Sequence, residues 1–169
     1  MLTSNHCYLA INGRKFYGDQ ITQWAFDDQL CQIIRYDKSP DSLLQLMACL
    51  VHRRSCLILD QSWPDSFNER LSALVSDIDP DQFSHTVFIA TSGSTGEPKL
   101  CCHAIDSLFL SVERSLQSIS IASTDAIVLS LSPAHMGGLL AVTKAIVTGA
   151  TLTLTTPWTD AIHGTNHHL

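Results

Sequence analysis

A short apolar run that leads directly into a loop of glycines and hydroxyls places the strongest constraint on what this chain can fold into. Residues 86–99 read TVFIATSGSTGEPK. The apolar half predicts a strand buried on both faces, as in a parallel sheet covered by helices. In the second half, Gly93 and Gly96 allow backbone N–H groups to approach an anion, and Lys99 supplies a positive charge. This pattern predicts a phosphate-binding loop with the candidate residues Thr91, Ser92, Gly93, Ser94, Thr95, Gly96 and Lys99.

The loop does not fit the Walker A pattern, because Pro98 replaces the second glycine and Leu100 replaces the magnesium-binding hydroxyl. The string TSGSTGEPK instead resembles the signature of the adenylate-forming superfamily, which includes acyl-CoA synthetases, aryl-CoA ligases, luciferases and the adenylation domains of peptide synthetases. The resemblance implies that the loop holds the phosphates of ATP, with Mg²⁺, while a carboxylate attacks the α-phosphorus. Taken without this resemblance, a Ser/Gly/Thr-rich cluster is more often a surface turn.

A second segment supports the same resemblance. Residues 126–131, AIVLSL, predict another buried strand, and the following string SPAHMGGL resembles the acyl-pocket segment of acyl-CoA synthetases. The resemblance implies that His135, Gly137 and Gly138 line the acyl pocket. The alternatives are a structural histidine and a tight helix entry at the two glycines.

The remaining segments predict helices that alternate with strands. Asn12-Gly13 predicts a hairpin, and Asp19 predicts the start of a helix that carries Ile21, Trp24, Ala25 and, further on, Ile33. The other predicted helices begin near Ser39-Pro40, Asp65, Asp106 and Gly138, the last ending at Gly149, and the other predicted strands cover residues 56–59, 100–103 and 151–155.

This alternation predicts an α/β fold with a largely parallel sheet flanked by helices. It resembles part of the large N-terminal domain of adenylate-forming enzymes. We expect residues 1–157 to form this partial AMP-binding domain and residues 158–169 to form an irregular tail.

Composition limits the partners and the compartment. The 169 residues contain 10 Lys and Arg against 16 Asp and Glu, a net charge of −6, which disfavours nucleic acid or an anionic membrane as the main partner. There is no leader at Met1 and no apolar stretch near the ~18 residues that a membrane span needs, so we expect a cytoplasmic protein. Six cysteines without paired CxxC spacing indicate reduced thiols, and the histidines at the C-terminus indicate a frayed end rather than a metal site.

The resemblance implies ATP-dependent activation of a carboxylic acid to an acyl-adenylate, followed by formation of its CoA thioester. The compact N-terminus looks like that of the o-succinylbenzoate-CoA ligases of menaquinone and phylloquinone synthesis. The family's adenine loop, ribose-binding aspartate and C-terminal catalytic lysine do not occur in these 169 residues, so we expect the chain to be inactive alone. We also expect it to associate with a complementing chain, or with itself, through an exposed sheet edge. The alternatives are a non-catalytic remnant or interaction module, and a generic phosphate-binding α/β protein.

Overall fold

The computed structural model describes residues 2–79, 83–92 and 98–154. The strands, in chain order, are β1 (Cys7–Ile11), β2 (Arg14–Tyr17), β3 (Cys31–Tyr36), β4 (Ser55–Asp60), β5 (Thr86–Ser92), β6 (Pro98–Ala104), β7 (Ala126–Val128) and β8 (Thr151–Leu154). The helices are α1 (Gly18–Thr22), α2 (Pro40–Val51), α3 (Asp65–Ser76), α4 (Ile105–Leu116) and α5 (Met136–Thr148). No helix in these ranges is both long and apolar enough to span a membrane.

The strands form two four-stranded sheets, with the orders β2-β1-β8-β7 and β3-β4-β5-β6. Four of the neighbouring pairs are parallel, and the pairs β1/β2 and β5/β6 are antiparallel. The structure thus confirms the largely parallel α/β fold flanked by helices, and it divides the strands between two sheets.

Helix α2 lies between the two sheets and supplies much of the core. Six of its residues are fully buried, because the helix is apolar around most of its circumference: Leu43, Leu46, Met47, Ala48, Cys49 and Leu50. They join a cluster that contains Leu9 and Leu152 from one sheet and Ile34 and Ile58 from the other. A smaller cluster lies on the opposite face of the second sheet, where α3 packs against Leu57, Leu59 and Phe88.

Several local predictions are confirmed at the level of backbone geometry. Asn12 and Gly13 both have positive φ, +48° and +80°, as a two-residue hairpin between β1 and β2 requires. The Ser39 side chain accepts a hydrogen bond from the Ser42 backbone N–H at 3.2 Å and caps α2. Gly149 ends α5 in the left-handed conformation, with φ +74°.

The predicted helix from Asp19 toward Ile33 is wrong in its second half. The helix ends at Thr22, and Ile33 lies in β3, whose side chains alternate between more and less buried positions. The sequence CQIIRY carries this period-2 pattern only weakly, because a polar residue, Gln32, occupies one of the buried positions of the strand. Gln32 is satisfied there by hydrogen bonds to the Asp27 carboxylate and the Gln29 carbonyl.

Two further predictions need correction. The segment 126–131 is not a buried strand: β7 is three residues long and partly exposed, because within the described residues it pairs on one side only, with β8. Asp106 does not cap α4, which begins at Ile105 after Ala104; its carboxylate instead pairs with Arg53 at 2.8 Å. The predicted tail, residues 158–169, lies outside the described residues.

Candidate functional site

The carboxyl ends of β3, β4 and β5 meet at one edge of the second sheet, where open α/β sheets commonly bind ligands. Tyr36 and Asp60 are register partners at the ends of β3 and β4. β5 pairs in parallel with β4 as far as Ile89 and continues to Ser92, and β6 pairs antiparallel with β5. The predicted phosphate loop is therefore the connection of a β-hairpin at this edge. Its residues Gly93, Ser94, Thr95 and Gly96 lie outside the described residues, as does the side chain of Ser92.

The two phosphate candidates whose side chains are described lie directly opposite each other. Thr91 and Lys99 are cross-strand partners, and both are exposed. Directly opposed residues of an antiparallel pair project from the same face. Cys101 belongs to this face too, because its sulfur lies 3.8 Å from the Thr91 hydroxyl oxygen. The hairpin thus presents a hydroxyl and an ammonium group side by side at the base of the loop.

Asp60 is a site residue that the sequence analysis missed. Its Oδ1 accepts hydrogen bonds from the Ser62 backbone N–H at 2.9 Å and the Ser62 hydroxyl at 2.6 Å. Partial burial is the largest single influence on its pKa and raises it. Hydrogen bonds from Ser132 and Ser62 and the charge of His135 act together in the opposite direction, so the pKa lies below its usual value of 3.8. Asp60 is therefore ionised at neutral pH.

The turn after Asp60 is fixed by α3. Asn68 is buried, and its side-chain amide donates to the Asp60 carbonyl at 3.2 Å and to the Trp63 carbonyl at 3.4 Å. This turn places Trp63 edge-to-face against His135, with ring centroids 5.8 Å apart. The sequence did contain a signal for Asp60 and Trp63, since they follow the apolar run CLIL at the carboxyl end of a predicted strand.

His135 lies at the N-terminus of α5, where it is exposed and makes no side-chain capping bond. Its ring contacts Trp63, and its charge acts on the Asp60 carboxylate. Asp60 ends β4 and interacts with His135. His135 therefore lies near the same end of the sheet as Thr91 and Lys99. The structure brings the two predicted groups of site residues to the same region, although their roles stay predictions.

The two glycines after His135 differ. Gly137 is exposed, and a Cβ placed on it would lie 2.9 Å from the Leu131 side chain. Gly138 is buried, and a Cβ there would lie 2.3 Å from the Ser132 carbonyl oxygen. Gly138 is thus required by a close approach of the chain to itself, which favours the tight helix entry over the acyl pocket for this residue.

Tyr36 is the second group at this edge that sequence reasoning missed. Burial, followed by the nearby carboxylates of Asp60 and Asp37, raises its pKa to about 12. The phenol is therefore neutral at physiological pH and can act as a hydrogen-bond donor.

Within the described ranges, no group of three or more His, Cys, Asp or Glu side chains forms a candidate metal site. The described residues of the hairpin do fit an anion, since Lys99 is an exposed cation beside the Thr91 hydroxyl.

Comparison with family models matches residues 21–168 to the AMP-binding enzyme family. The match covers most of the chain, and the chain therefore belongs to this family of adenylate-forming enzymes. No curated protein matches the sequence.

Solved structures with the same fold include Bacillus subtilis O-succinylbenzoate Coenzyme A Synthetase in complex with AMP. Its TM-score is 0.71 at 17% identity, over 96% of this chain and 56% of that one. The same enzyme with ATP and magnesium ion gives 0.69 at 16% identity, covering 96% and 57%. The Klebsiella oxytoca NpsA N-terminal subdomain, in complex with 3-hydroxyanthranilyl-AMSN, gives 0.68 at 13% identity, covering 89% and 49%. The likeness establishes the fold, and the chain spans about half the length of these solved chains.

Proposed function

We propose that this chain forms the part of an acid-activating, adenylate-forming ligase that holds the ATP phosphates and borders the acid pocket. The observation that carries the proposal is the hairpin of β5 and β6, which pairs Thr91 with Lys99 at the end of the sheet where the neighbouring strand β4 ends in Asp60. It is supported by the family membership of the chain.

In the proposed reaction, a carboxylate oxygen of the substrate bonds to the α-phosphorus of ATP, and the bond from that phosphorus to the bridging oxygen breaks to release pyrophosphate. The CoA thiolate then bonds to the acyl carbon, and AMP leaves with the electrons of the broken acyl–phosphate bond. Lys99 would bind phosphate oxygens and offset their charge, and Thr91 would donate a hydrogen bond. Bound Mg²⁺ would offset further phosphate charge.

The Asp60 region would contribute to the acid side of the site. A fixed carboxylate repels the carboxylate of an acid substrate, so Asp60 favours poses in which that group lies toward Lys99. Trp63 and His135 supply flat rings on which an aromatic substrate could pack. This arrangement, together with the compact N-terminus, favours an aromatic acid, and we propose o-succinylbenzoate.

The phosphate role is tested by ATP binding to the purified chain with Lys99→Met, a variant that keeps the apolar stem but removes the charge. We expect weak binding, about millimolar, because a loop without base or ribose contacts has few ligand atoms to engage. Lys99→Met should weaken it about tenfold, as for one charge-assisted hydrogen bond. The matched control is Lys15→Met, an exposed lysine of β2. Equal effects of the two variants would contradict the phosphate role.

Carboxylate-dependent exchange of pyrophosphate into ATP tests whether these 169 residues catalyse the first step. We expect no exchange above background, because the catalytic lysine and adenine loop implied by the resemblance are absent from this sequence. Clear exchange that Lys99→Met abolishes would show that the chain is active alone.

The acid is tested separately by NMR. Addition of o-succinylbenzoate should shift the imidazole resonances of His135, whereas octanoate should not. His103, on β6, serves as the internal control. Equal responses to both acids would refute the aromatic substrate and leave the phosphate role standing.

A further inference from the structure

A cavity of about 940 Å³ lies at the amino ends of β3 and β4, the end of the second sheet opposite to the candidate site. Ser55 lines it and Asp60 borders the candidate site, so the two places lie at opposite ends of β4. Five residue rises separate Ser55 from Asp60 along β4, a distance of about 16–17 Å. The cavity is therefore distinct from the phosphate hairpin, and what it binds does not depend on the proposed function.

One side of the cavity is apolar. Val75 of α3 and Ile78 of the turn after it belong to one hydrophobic cluster with Ile33, Phe83 and Phe88, and all five line this side. The rings of Phe83 and Phe88 are 5.9 Å apart. Phe88 is almost fully buried behind this wall, so the half-buried Ile33, Ile78 and Phe83 supply most of the apolar surface that a ligand would contact.

The other side carries the cationic side chains of Arg53 and Arg54, and the imidazoles of His52 and His85 and the carboxylate of Asp28 also line it. Arg53 is already engaged, because it pairs with Asp106 at 2.8 Å and donates to the Leu50 carbonyl. It also lies over the Phe109 ring, 4.2 Å from the centroid. Its charge is therefore largely compensated.

Arg54 differs from Arg53. Its Nη2 donates to the Gln29 carbonyl at 3.1 Å, and its guanidinium lies 5.4 Å from the Phe26 ring centroid. Its Nε is buried and has no hydrogen-bond partner among the described residues. A guanidinium has five N–H donors, so Arg54 retains unused donors at the cavity. Because this Nε is enclosed by protein, an anion in the cavity would bind the terminal Nη groups of Arg54, which carry the remaining N–H donors.

We propose that this cavity binds an organic anion with an apolar body, its acidic group on Arg54 and its body against the wall formed by Ile33, Val75, Phe83 and Phe88. The volume falls in the range of about 300–1,000 Å³ that is typical of small-molecule pockets. A ligand that is all phosphate and sugar would leave the apolar wall uncovered. A neutral apolar ligand would leave the Arg54 donors unpaired.

The proposal is tested with two fluorescent dyes that share an anilinonaphthalene body: 8-anilinonaphthalene-1-sulfonate, which is anionic, and N-phenyl-1-naphthylamine, which is neutral. The sulfonate should bind the native chain more tightly. Arg54→Gln should weaken sulfonate binding about tenfold, the effect of one charge-assisted hydrogen bond, and leave the neutral dye nearly unchanged. Lys99→Met, at the opposite edge of the sheet, should leave both affinities unchanged.

A second variant keeps the test decisive if Arg54→Gln fails to fold. Ser76 is exposed at the end of α3 and lines the cavity, so Ser76→Trp places a bulky ring in the space without disturbing the core. We expect it to abolish saturable binding of both dyes while the thermal unfolding midpoint is unchanged. Equal affinity for the two dyes, or sulfonate binding that survives Ser76→Trp, would overturn the proposal.

Discussion

The two glycines at the start of α5 differ in whether the structure leaves room for a Cβ atom. At Gly138 an added Cβ would overlap the backbone carbonyls of Leu131 and Ser132, at 2.5 and 2.3 Å. At Gly137 the nearest atom is the end of the Leu131 side chain, which can rotate away. Neighbouring positions with the same residue type therefore respond differently to the same substitution.

We predict that Gly138→Ala lowers the free energy of unfolding by about 2–3 kcal/mol, because overpacking against backbone forces the α5 entry to shift. Gly137→Ala is the matched control. It should be neutral or slightly stabilising, because alanine is the better helix former by up to about 1 kcal/mol. Urea unfolding of both variants measures the difference. Equal stability of the two would contradict the close approach at Gly138.

Asp60 gives a pH-dependent prediction. Because its pKa is lowered in the folded state, the ionised form is favoured by folding. The contribution to stability is full above the usual pKa of 3.8 and is lost as the pH falls through the lower pKa of the folded state. Asp60→Asn should therefore destabilise the chain at pH 7 by less than about 1 kcal/mol, since water screens a partly exposed carboxylate.

The measurement is urea unfolding of the wild type and Asp60→Asn at pH 7 and at successively lower pH. The difference in free energy should shrink toward zero below pH 3.8. Asp77→Asn, at the exposed C-terminal end of α3, subtracts the general effect of removing one negative charge. A difference that stays constant with pH would show that the carboxylate charge contributes nothing to folding.

At the scale of elements, the sequence predicted those whose signals are local. The hairpin at Asn12-Gly13 and the start of α2 at Ser39 each depend on residues that are adjacent in the chain. β3 was missed because its alternation includes Gln32, which is buried only because Asp27 and Gln29 satisfy it. The length and exposure of β7 depend on how many strands flank it, which no local pattern reports.

The residues of the candidate site also fall into two groups, those that a local sequence pattern predicts and those that only strand pairing brings there. The spacing of Thr91 and Lys99 around the glycine loop was evident from the sequence, and pairing across the hairpin places them side by side. Asp60 and Tyr36 belong to this edge only because β3 and β4 are parallel neighbours in register. Their pKa shifts come from contacts between segments distant in the chain, so sequence reasoning had no direct access to them.

At the scale of the whole molecule, helices connect the two sheets: α2 packs against both, and α5 on the first sheet packs against α4 on the second. α2 packs against β1 in one sheet and against β3 and β4 in the other, and its buried side chains make the core continuous between them. The β7 end of the first sheet is far less protected. Within the described residues β7 has one strand neighbour, and Val128 and Leu131 are 36% and 57% exposed.

This edge leads to a prediction about association. An exposed strand edge with apolar neighbours is a template for pairing with another chain. We therefore expect the purified chain to self-associate with increasing concentration, as measured by sedimentation equilibrium.

Val128→Lys should shift this equilibrium toward the monomer by about tenfold or more, because a lysine on an edge strand must be desolvated when another strand pairs with it. Leu110→Lys is the matched control, since Leu110 is 46% exposed on α4, away from the sheet edge. If both variants reduce association equally, general surface hydrophobicity drives it. If the wild type remains monomeric at all concentrations, the β7 edge does not pair, and association through it is refuted.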